Sequence, residues 1–358
     1  MTTRSLLLLV TALVLLTTVA PAFADAIPGF AQTNLVSSVS GMAQTTDPSL
    51  QNPWGMAFSG TSPFWVSDNA VNLATLYSAP GVKQGLMVNV PGAPTGLVFN
   101  SSTGFNGDTF IFATESGTIE GWRNAPGTTA ETLFTTPDSV YKGLATASIG
   151  SNSYLYAANF EQARVDVFGS AGAPPLPGNF TDPNVPAGFA PFGIETIGSQ
   201  VFVTYAKVDP VTHDDQAGPG NGFVSVFNLN GTFVKRMVTQ GALNSPWGLA
   251  LAPAGFGSLS GDLLVGNFGD GTINAFDTNG NLIGTLANLQ GSPLVNDGLW
   301  AIKFGNNGAG SNPLSLYLTA GINDETDGLL ARIDAVPEPG TFVLLGLGVG
   351  LILRRRLS

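Results

Sequence analysis

A six-bladed, all-β propeller is the fold this sequence predicts, and three observations carry the prediction. Composition is the first: 46 Gly, 24 Pro and only 10% charged residues in 358 suit many tight turns between short strands and little exposed helix. The second is one well-formed unit, from Ser245-Pro246-Trp247-Gly248-Leu249-Ala250 to Thr272-Ile273-Asn274-Ala275-Phe276. It has a turn signal, an apolar run, a second strand at Asp262 to Asn267, a Gly269-Asp270-Gly271 turn and a third, alternating strand. The third is that weaker copies of this unit recur along the chain, which is the signature of blades or other stacked repeats.

The blade openings align on a glycine that ends a turn and enters an apolar strand: Gly55, Gly96, Gly143, Gly193, Gly248 and Gly298. Their separations of 41, 47, 50, 55 and 50 residues fit six blades with loops of unequal length. Second strands follow at Phe64 to Ser67, Thr109 to Ala113, Tyr154 to Ala157, Val201 to Thr204, Leu263 to Val265 and Leu316 to Thr319, all rich in aromatic and β-branched residues. Third strands at Gly117 to Trp122, Ala163 to Phe168, Gly222 to Phe227 and Gly328 to Ile333 alternate polar and apolar positions, as strands with unlike faces do. The last copy lacks an outer strand, and Asn34 to Val39 stands alone ahead of the first. The N-terminal strand is therefore expected to complete blade six and close the ring, removing an exposed sheet edge.

The termini carry a different message. Arg4, the apolar run Leu6 to Leu16 and the small-residue site Ala22-Phe23-Ala24 form a secretory signal peptide over residues 1–24, a substrate for signal peptidase; a membrane-anchoring helix is the other reading. After the propeller body, 25–336, the composition changes at Pro337-Glu338-Pro339-Gly340, continues as an uncharged run Thr341 to Leu353, and ends in Arg354-Arg355-Arg356. This three-part tail, 337–358, resembles the PEP-CTERM sorting signal, whose implied partner is an exosortase-type membrane enzyme. Prolines stop the preceding strand, the apolar run enters the bilayer and the arginines hold the end in the cytoplasm. Thirteen residues at about 1.5 Å each reach only about 20 Å, so a short transmembrane segment cut after export fits better than a permanent anchor.

Charge and composition exclude several functions. Between Asp25 and Val336 there are 23 acidic and 9 basic residues, so the body carries 9 − 23 = −14, a sign that repels phosphate backbones and leaves nucleic acid out as a partner. With no Cys, thiol catalysis, disulfides and cysteine metal sites are excluded. His213 is the sole histidine, and neither a Gly-x-Ser-x-Gly elbow nor a phosphate-binding loop accompanies it.

Two segments extend the resemblance beyond the tail. The loop Tyr205-Ala206-Lys207-Val208-Asp209 through Gly222-Phe223-Val224, and the run Ser245 to Phe276, resemble a family of exported bacterial propeller proteins of unestablished activity, over residues 30 to 335. At a broader level the blades look similar to NHL repeats and to the regucalcin and gluconolactonase propellers. That likeness implies Asn, Asp or Glu ligands for a divalent cation around the channel, some just before the blade glycine. The equivalent positions here are Trp54, Thr95, Lys142, Phe192, Trp247 and Asp297, of which Asp297 alone is a possible ligand.

Three groups of residues are candidates for a site. Trp54, Phe192 and Trp247 at the blade entrances, with Lys142 and Asp297, suit an aromatic platform for sugar rings at the channel mouth, or else pack between blades. Asp68, Asn69, Glu115, Asn159, Asn267, Asn323 and Asp324 follow the second strands. If they share one face they could hold a calcium-like cation; otherwise they cap turns. The long insertion 207–221 places Asp209, His213, Asp214 and Asp215 together, as a cation- or partner-binding loop or a solvated one. The sequence thus describes an exported protein, transiently anchored at the inner membrane and then at the cell surface or in the extracellular matrix. Its expected role is binding or structural, with polysaccharide as the candidate ligand and a metal-dependent hydrolase or lactonase as the alternative.

Overall fold

The computed structural model describes residues 25–336; the expected secretory signal, 1–24, and the tail from Pro337 onward lie outside the described residues. Six antiparallel sheets follow one another along the chain and stand around a common axis, each with its first strand innermost, and no α-helix occurs among the described residues. Blade 1 comprises Pro53–Ala57, Phe64–Asp68, Leu73–Tyr77 and Lys83–Asn89; blade 2, Pro94–Phe99, Phe110–Thr114, Thr118–Trp122 and Glu131–Thr135. Blade 3 has three strands, Tyr141–Ile149, Asn152–Asn159 and Arg164–Gly169. Blade 4 runs Phe189–Ile197, Gln200–Lys207, Gly222–Asn228 and Phe233–Thr239, and blade 5 Pro246–Leu251, Leu263–Asn267, Ile273–Phe276 and Leu282–Leu286. Blade 6 takes Leu299–Phe304, Ser315–Ala320 and Leu329–Ala335 from the end of the chain and Phe30–Ser37 from its start.

That last pairing closes the ring as the sequence leads one to expect. Phe30–Ser37 lies antiparallel to Leu329–Ala335, from Phe30 opposite Ala335 to Ser37 opposite Leu329, with a bulge between Asn34 and Val36. Two short additions cover further edges: Ala26–Ile27 runs parallel to Thr285 and Leu286 in blade 5, and Thr45–Thr46 parallel to Val36 and Ser37. Blade 3 is the exception. Where its fourth strand would stand, the chain crosses instead to blade 4, where Gly178 and Phe180 donate backbone hydrogen bonds to Asn230 and Gly231. Phe180 fills the gap between Tyr156 and Phe227, with ring centroids 4.9 and 5.5 Å away.

Each blade is sandwiched between two others, so strands in the middle of a sheet are buried on both faces; all five residues of Phe64–Asp68, Phe110–Thr114 and Leu263–Asn267 are buried. Aromatic rings do much of this packing: Trp65 of blade 1 meets Phe110 and Trp122 of blade 2 at 4.2 and 4.7 Å. Fully burying such a side chain is worth about 1.5–3 kcal/mol. The alternation expected in the third strands divides core from solvent only in part: Arg164 of blade 3 is exposed, whereas polar residues in blades 2 and 4 are buried and partnered. Ser225 donates to Asp182 at 2.6 Å, and Thr132 donates to Glu120 at 3.1 Å.

Around the axis the innermost strands approach backbone to backbone, which is why the blade openings carry glycine. A Cβ on Gly248 would stand 2.5 Å from the carbonyl oxygen of Trp300, and one on Gly143 2.9 Å from that of Phe192. The ring shows a register change in blade 6. Trp300 and Ala301 occupy the positions held elsewhere by Trp54 and Gly55 or Trp247 and Gly248, whereas Gly298 lies in the preceding turn with φ of 63°. The last spacing is thus 301 − 248 = 53 residues, and Asp297 falls outside the ring of blade-entrance residues.

Candidate functional site: two mouths of one channel

The axial channel has unlike ends. At the N-terminal ends of the innermost strands it is plugged by rings from blades 1, 4, 5 and 6. Trp54 stacks on Trp300 at 3.6 Å, Phe268 stacks on its other side at 4.1 Å, and Trp247 and Phe192 meet Trp300 at 5.8 Å each. Hydrogen bonds fix the rings: Trp247 Nε1 donates across the channel to the Lys142 carbonyl at 2.8 Å, and Trp300 Nε1 to Asn52 Oδ1 at 3.0 Å. Trp54, Phe192, Trp247 and Trp300 are all buried, so the entrance aromatics face one another and offer no open platform.

Above the plug sits a charged cluster drawn from four blades. Lys142, itself buried, lies 5.0 Å over the Trp54 ring and donates to Glu115 Oε1 at 2.8 Å and Asp214 Oδ1 at 3.0 Å. Burial alone would lower its pKa, but the two carboxylates outweigh it and hold the ammonium charged well into the alkaline range. Asn69 donates to the other Glu115 oxygen at 3.0 Å, and Asn52 to Glu325 at 2.6 Å. The insertion 207–221 folds over this mouth, bridged by Val208 and Asp215, and delivers Asp214 to Lys142. Burial raises Glu325 and lifts Asp215 to about 6. His213 stays at the surface, 3.2 Å from Glu161.

Of the seven polar residues proposed as a cation ring, only Asn69 and Glu115 meet. Asp68 is fully buried inside blade 1, accepts from Thr75 at 2.7 Å, and is pushed well above the usual carboxylate range by burial. Asn159 donates to Asp166 at 2.7 Å within blade 3, and Asn267 to the Ala242 carbonyl at 2.8 Å. Asn323 pairs with Asp327 in the turn that carries Glu325, where Asn323 and Asp324 both adopt left-handed backbone. Asn159 and Asn267 also accept backbone N–H bonds from Gln162 and Asn244, the turn-capping role Asx residues commonly play, whereas Asp68 caps no turn. Among the described residues no group of three or more His, Asp or Glu side chains is placed to hold a metal ion, and near the axis Glu115 and Asp214 are paired with Lys142 while Glu325 accepts from Asn52.

The opposite mouth is open. A funnel of about 430 Å³ is lined by the far ends of all six innermost strands. Its wall is largely aliphatic, with Ala57, Val98, Ala145, Ala250 and Ile302, and Phe58, Phe99 and Phe304 stand among the lining residues. Lys303 of blade 6 crosses to Glu195 of blade 4, its Nζ 2.9 and 2.8 Å from the two carboxylate oxygens. Toward the plug only about 20 Å³ remains, between Met56, Leu144, Ile194 and Trp247. Thr196 Oγ1, in the funnel wall, is buried with no hydrogen-bond partner. None of the funnel residues stands out in the sequence, yet a signal exists. Two residues after each ring position stand Ala57, Val98, Ala145, Glu195, Ala250 and Lys303, so the only charges at that register are a matched pair.

Comparison with known proteins agrees with the fold. The chain is 34% identical over 324 residues to the uncharacterized protein R648 of Acanthamoeba polyphaga mimivirus, covering 84% of this chain and 78% of that one. It is 33% identical to the uncharacterized protein L690 of the same virus, covering 84% of each. The chain belongs to this family. Residues 335–356 match the PEP-CTERM protein-sorting motif, which marks this member for exosortase-sorted export with transient anchoring through the tail. No helix among the described residues is long and apolar enough to cross a membrane; the apolar run Thr341 to Leu353 and Arg354 to Arg356 lie outside them. Among solved structures, regucalcin, a calcium-binding protein from Agrobacterium tumefaciens, is similar at 13% identity and a TM-score of 0.52, covering 87% of this chain and 95% of that one. Virginiamycin B lyase from Staphylococcus aureus matches at 12% identity and a TM-score of 0.47, over 86% and 99%. Regucalcin supports the propeller fold and nothing further about chemistry.

Proposed function

We propose that this member of the family is an exported binding propeller of the cell surface or extracellular matrix. On this reading, residues 1–24 are removed on export and 25–336 form the functional body. The tail from Pro337 is handled by an exosortase-type enzyme, and ligand enters at the open funnel. The observation that carries the reading is the PEP-CTERM motif at 335–356, which begins at the very end of the last strand, Leu329–Ala335, of a ring closed by its own N-terminal strand. A sorting device thus follows directly on a rigid, closed body. The funnel supports binding: it is concave, mostly apolar and supplied with a few polar groups, the usual make-up of a small-ligand site.

Polysaccharide binding at the aromatic entrances is not the reading proposed, since those rings are stacked on one another. A metal-dependent hydrolase is not proposed either, because the Lys142 ammonium occupies the center of the nearest carboxylate cluster. Replacing Pro337, Glu338 and Pro339 together by Ala and fractionating the producing cells tests the reading. The wild type is expected at the cell surface or in the medium and the variant in the membrane fraction; equal release of both would sink it.

A further inference from the structure

We infer that the funnel takes a neutral amphipathic small molecule, an apolar body ending in a carboxamide-like group that both donates and accepts, seated on the Lys303–Glu195 pair. The inference rests on the reading of the protein as a binding propeller and adds the class of ligand.

The wall sets the body of the ligand. Five of the six strands contribute Ala57, Val98, Ala145, Leu249, Ala250 and Ile302, and a cavity of about 430 Å³ with such a lining favors aliphatic or aromatic bulk over a hydrated polyol. These residues lie on innermost strands held by their neighbors on both sides, so the shape is preformed and little ordering is needed on binding.

The ion pair sets the head. Lys303 Nζ uses two donors on the two Glu195 oxygens and keeps a third; the carboxylate keeps lone pairs. An anionic head would gain Lys303 only by competing with Glu195, and a cationic head would gain Glu195 only by competing with Lys303. A neutral head with one acceptor and one donor satisfies both remaining valences and leaves the pair intact. Thr196 adds an unpartnered hydroxyl in the same wall, and Thr146 there uses its proton on the Tyr154 carbonyl at 3.0 Å while its oxygen can still accept.

Calorimetric titration of residues 25–336, within which the ring closes, with octanamide, octanoate and octylamine provides the test. Octanamide should bind about tenfold or more tightly than either charged probe. Thr196→Trp, which fills the wall without breaking a hydrogen bond, should abolish that binding with the melting temperature retained. Glu195→Gln frees the lysine, and should raise octanoate affinity about tenfold while weakening octanamide, an inversion that mere loss of structure would not produce. The inference is overturned if a charged probe binds the wild type as well as octanamide, if no probe binds, if a folded Thr196→Trp protein binds octanamide unchanged, or if Glu195→Gln leaves the ranking as it was. Failure of export, by contrast, would remove the reading of the protein as a surface binder and leave these titrations standing.

Discussion

The two mouths of the channel are built from the same six strands, yet one is filled and the other hollow. At the filled end, large rings and long charged side chains meet at the axis and satisfy one another: Trp54 on Trp300, Trp247 on the Lys142 carbonyl, Lys142 on Glu115 and Asp214. At the hollow end, small and aliphatic residues leave room and a single ion pair crosses it. Residues that look chemically capable are the ones that fill space, and the proposed site lies where most side chains are too short to reach the axis. Stability is therefore expected to be concentrated at the plugged mouth and binding at the open one.

The sharpest way to break this contrast is Trp300→Ala. The ring contacts Trp54, Phe268, Trp247 and Phe192 and carries a hydrogen bond to Asn52. Its loss should cost about 3–5 kcal/mol in denaturant unfolding. A cost below about 1 kcal/mol would mean that the plug is not a keystone.

Lys142→Met comes next. It removes the cation from Glu115 and Asp214 and leaves their charges facing each other. Breaking a fully buried pair costs about 3–5 kcal/mol, and because both carboxylates are partly exposed, about 2 kcal/mol is expected here. The folded pKa of Lys142 is raised, so its contribution is complete below the unfolded value of about 10.4 and is lost as pH rises through the folded value. Wild type and variant should thus differ constantly from pH 7 to 9 and converge in stronger alkali.

Asp215→Asn should act in the opposite direction. Burial raises this carboxyl to about 6, so ionizing it costs the folded protein stability that the unfolded chain does not lose. The sign follows: the cost is absent below the unfolded pKa of about 3.9, grows between there and about 6, and is complete above. The variant should be more stable than wild type by about 1–2 kcal/mol at pH 7.5, and indistinguishable from it near pH 4. A variant less stable at both pH values would show that the Asp215 carboxyl group is needed whether charged or neutral, holding the 207–221 insertion over the mouth.

Much of the ring was legible from residues. Glycine spacing located five blade openings, aromatic and β-branched runs located the second strands, and the unpaired N-terminal strand foretold closure. The sixth opening was missed because the repeat rule asked for glycine, and blade 6 meets the same close approach with Ala301. That slip placed Asp297 where Trp300 belongs, and it moved Lys303 out of register with Glu195, so the one charge pair spanning the funnel could not be seen. The polar ring after the second strands was misleading for another reason. Asn69 and Glu115 do meet, but others share only a place in the repeat and pair within their own blades, as Asp68 does with Thr75 and Asn159 with Asp166. Position in a repeat gives depth along a strand, whereas direction toward the axis depends on pleat and on bulges, which occur in the innermost strands of blades 1, 2, 3, 4, 5 and 6 alike.

The smallest expected effect separates the two mouths most cleanly. Trp54 Nε1 at the plug and Thr196 Oγ1 in the funnel are both buried without a partner, so each carries a desolvation cost with no hydrogen bond in return. At the plug the polar atom belongs to a ring whose removal would also unstack Trp300, so no substitution isolates it. In the funnel, Thr196→Val replaces hydroxyl by methyl at nearly constant volume and disturbs no hydrogen bond. The variant should be as stable as wild type or more stable by up to about 1 kcal/mol, measured by urea unfolding. Octanamide binding should fall by less than Glu195→Gln lowers it, because the Lys303–Glu195 pair that receives the head is kept and only a hydroxyl in the adjoining wall is gone. Stability gained and affinity lost at one side chain is what a site kept polar for its ligand would show; loss of both would make Thr196 a structural residue and return the funnel to plain packing.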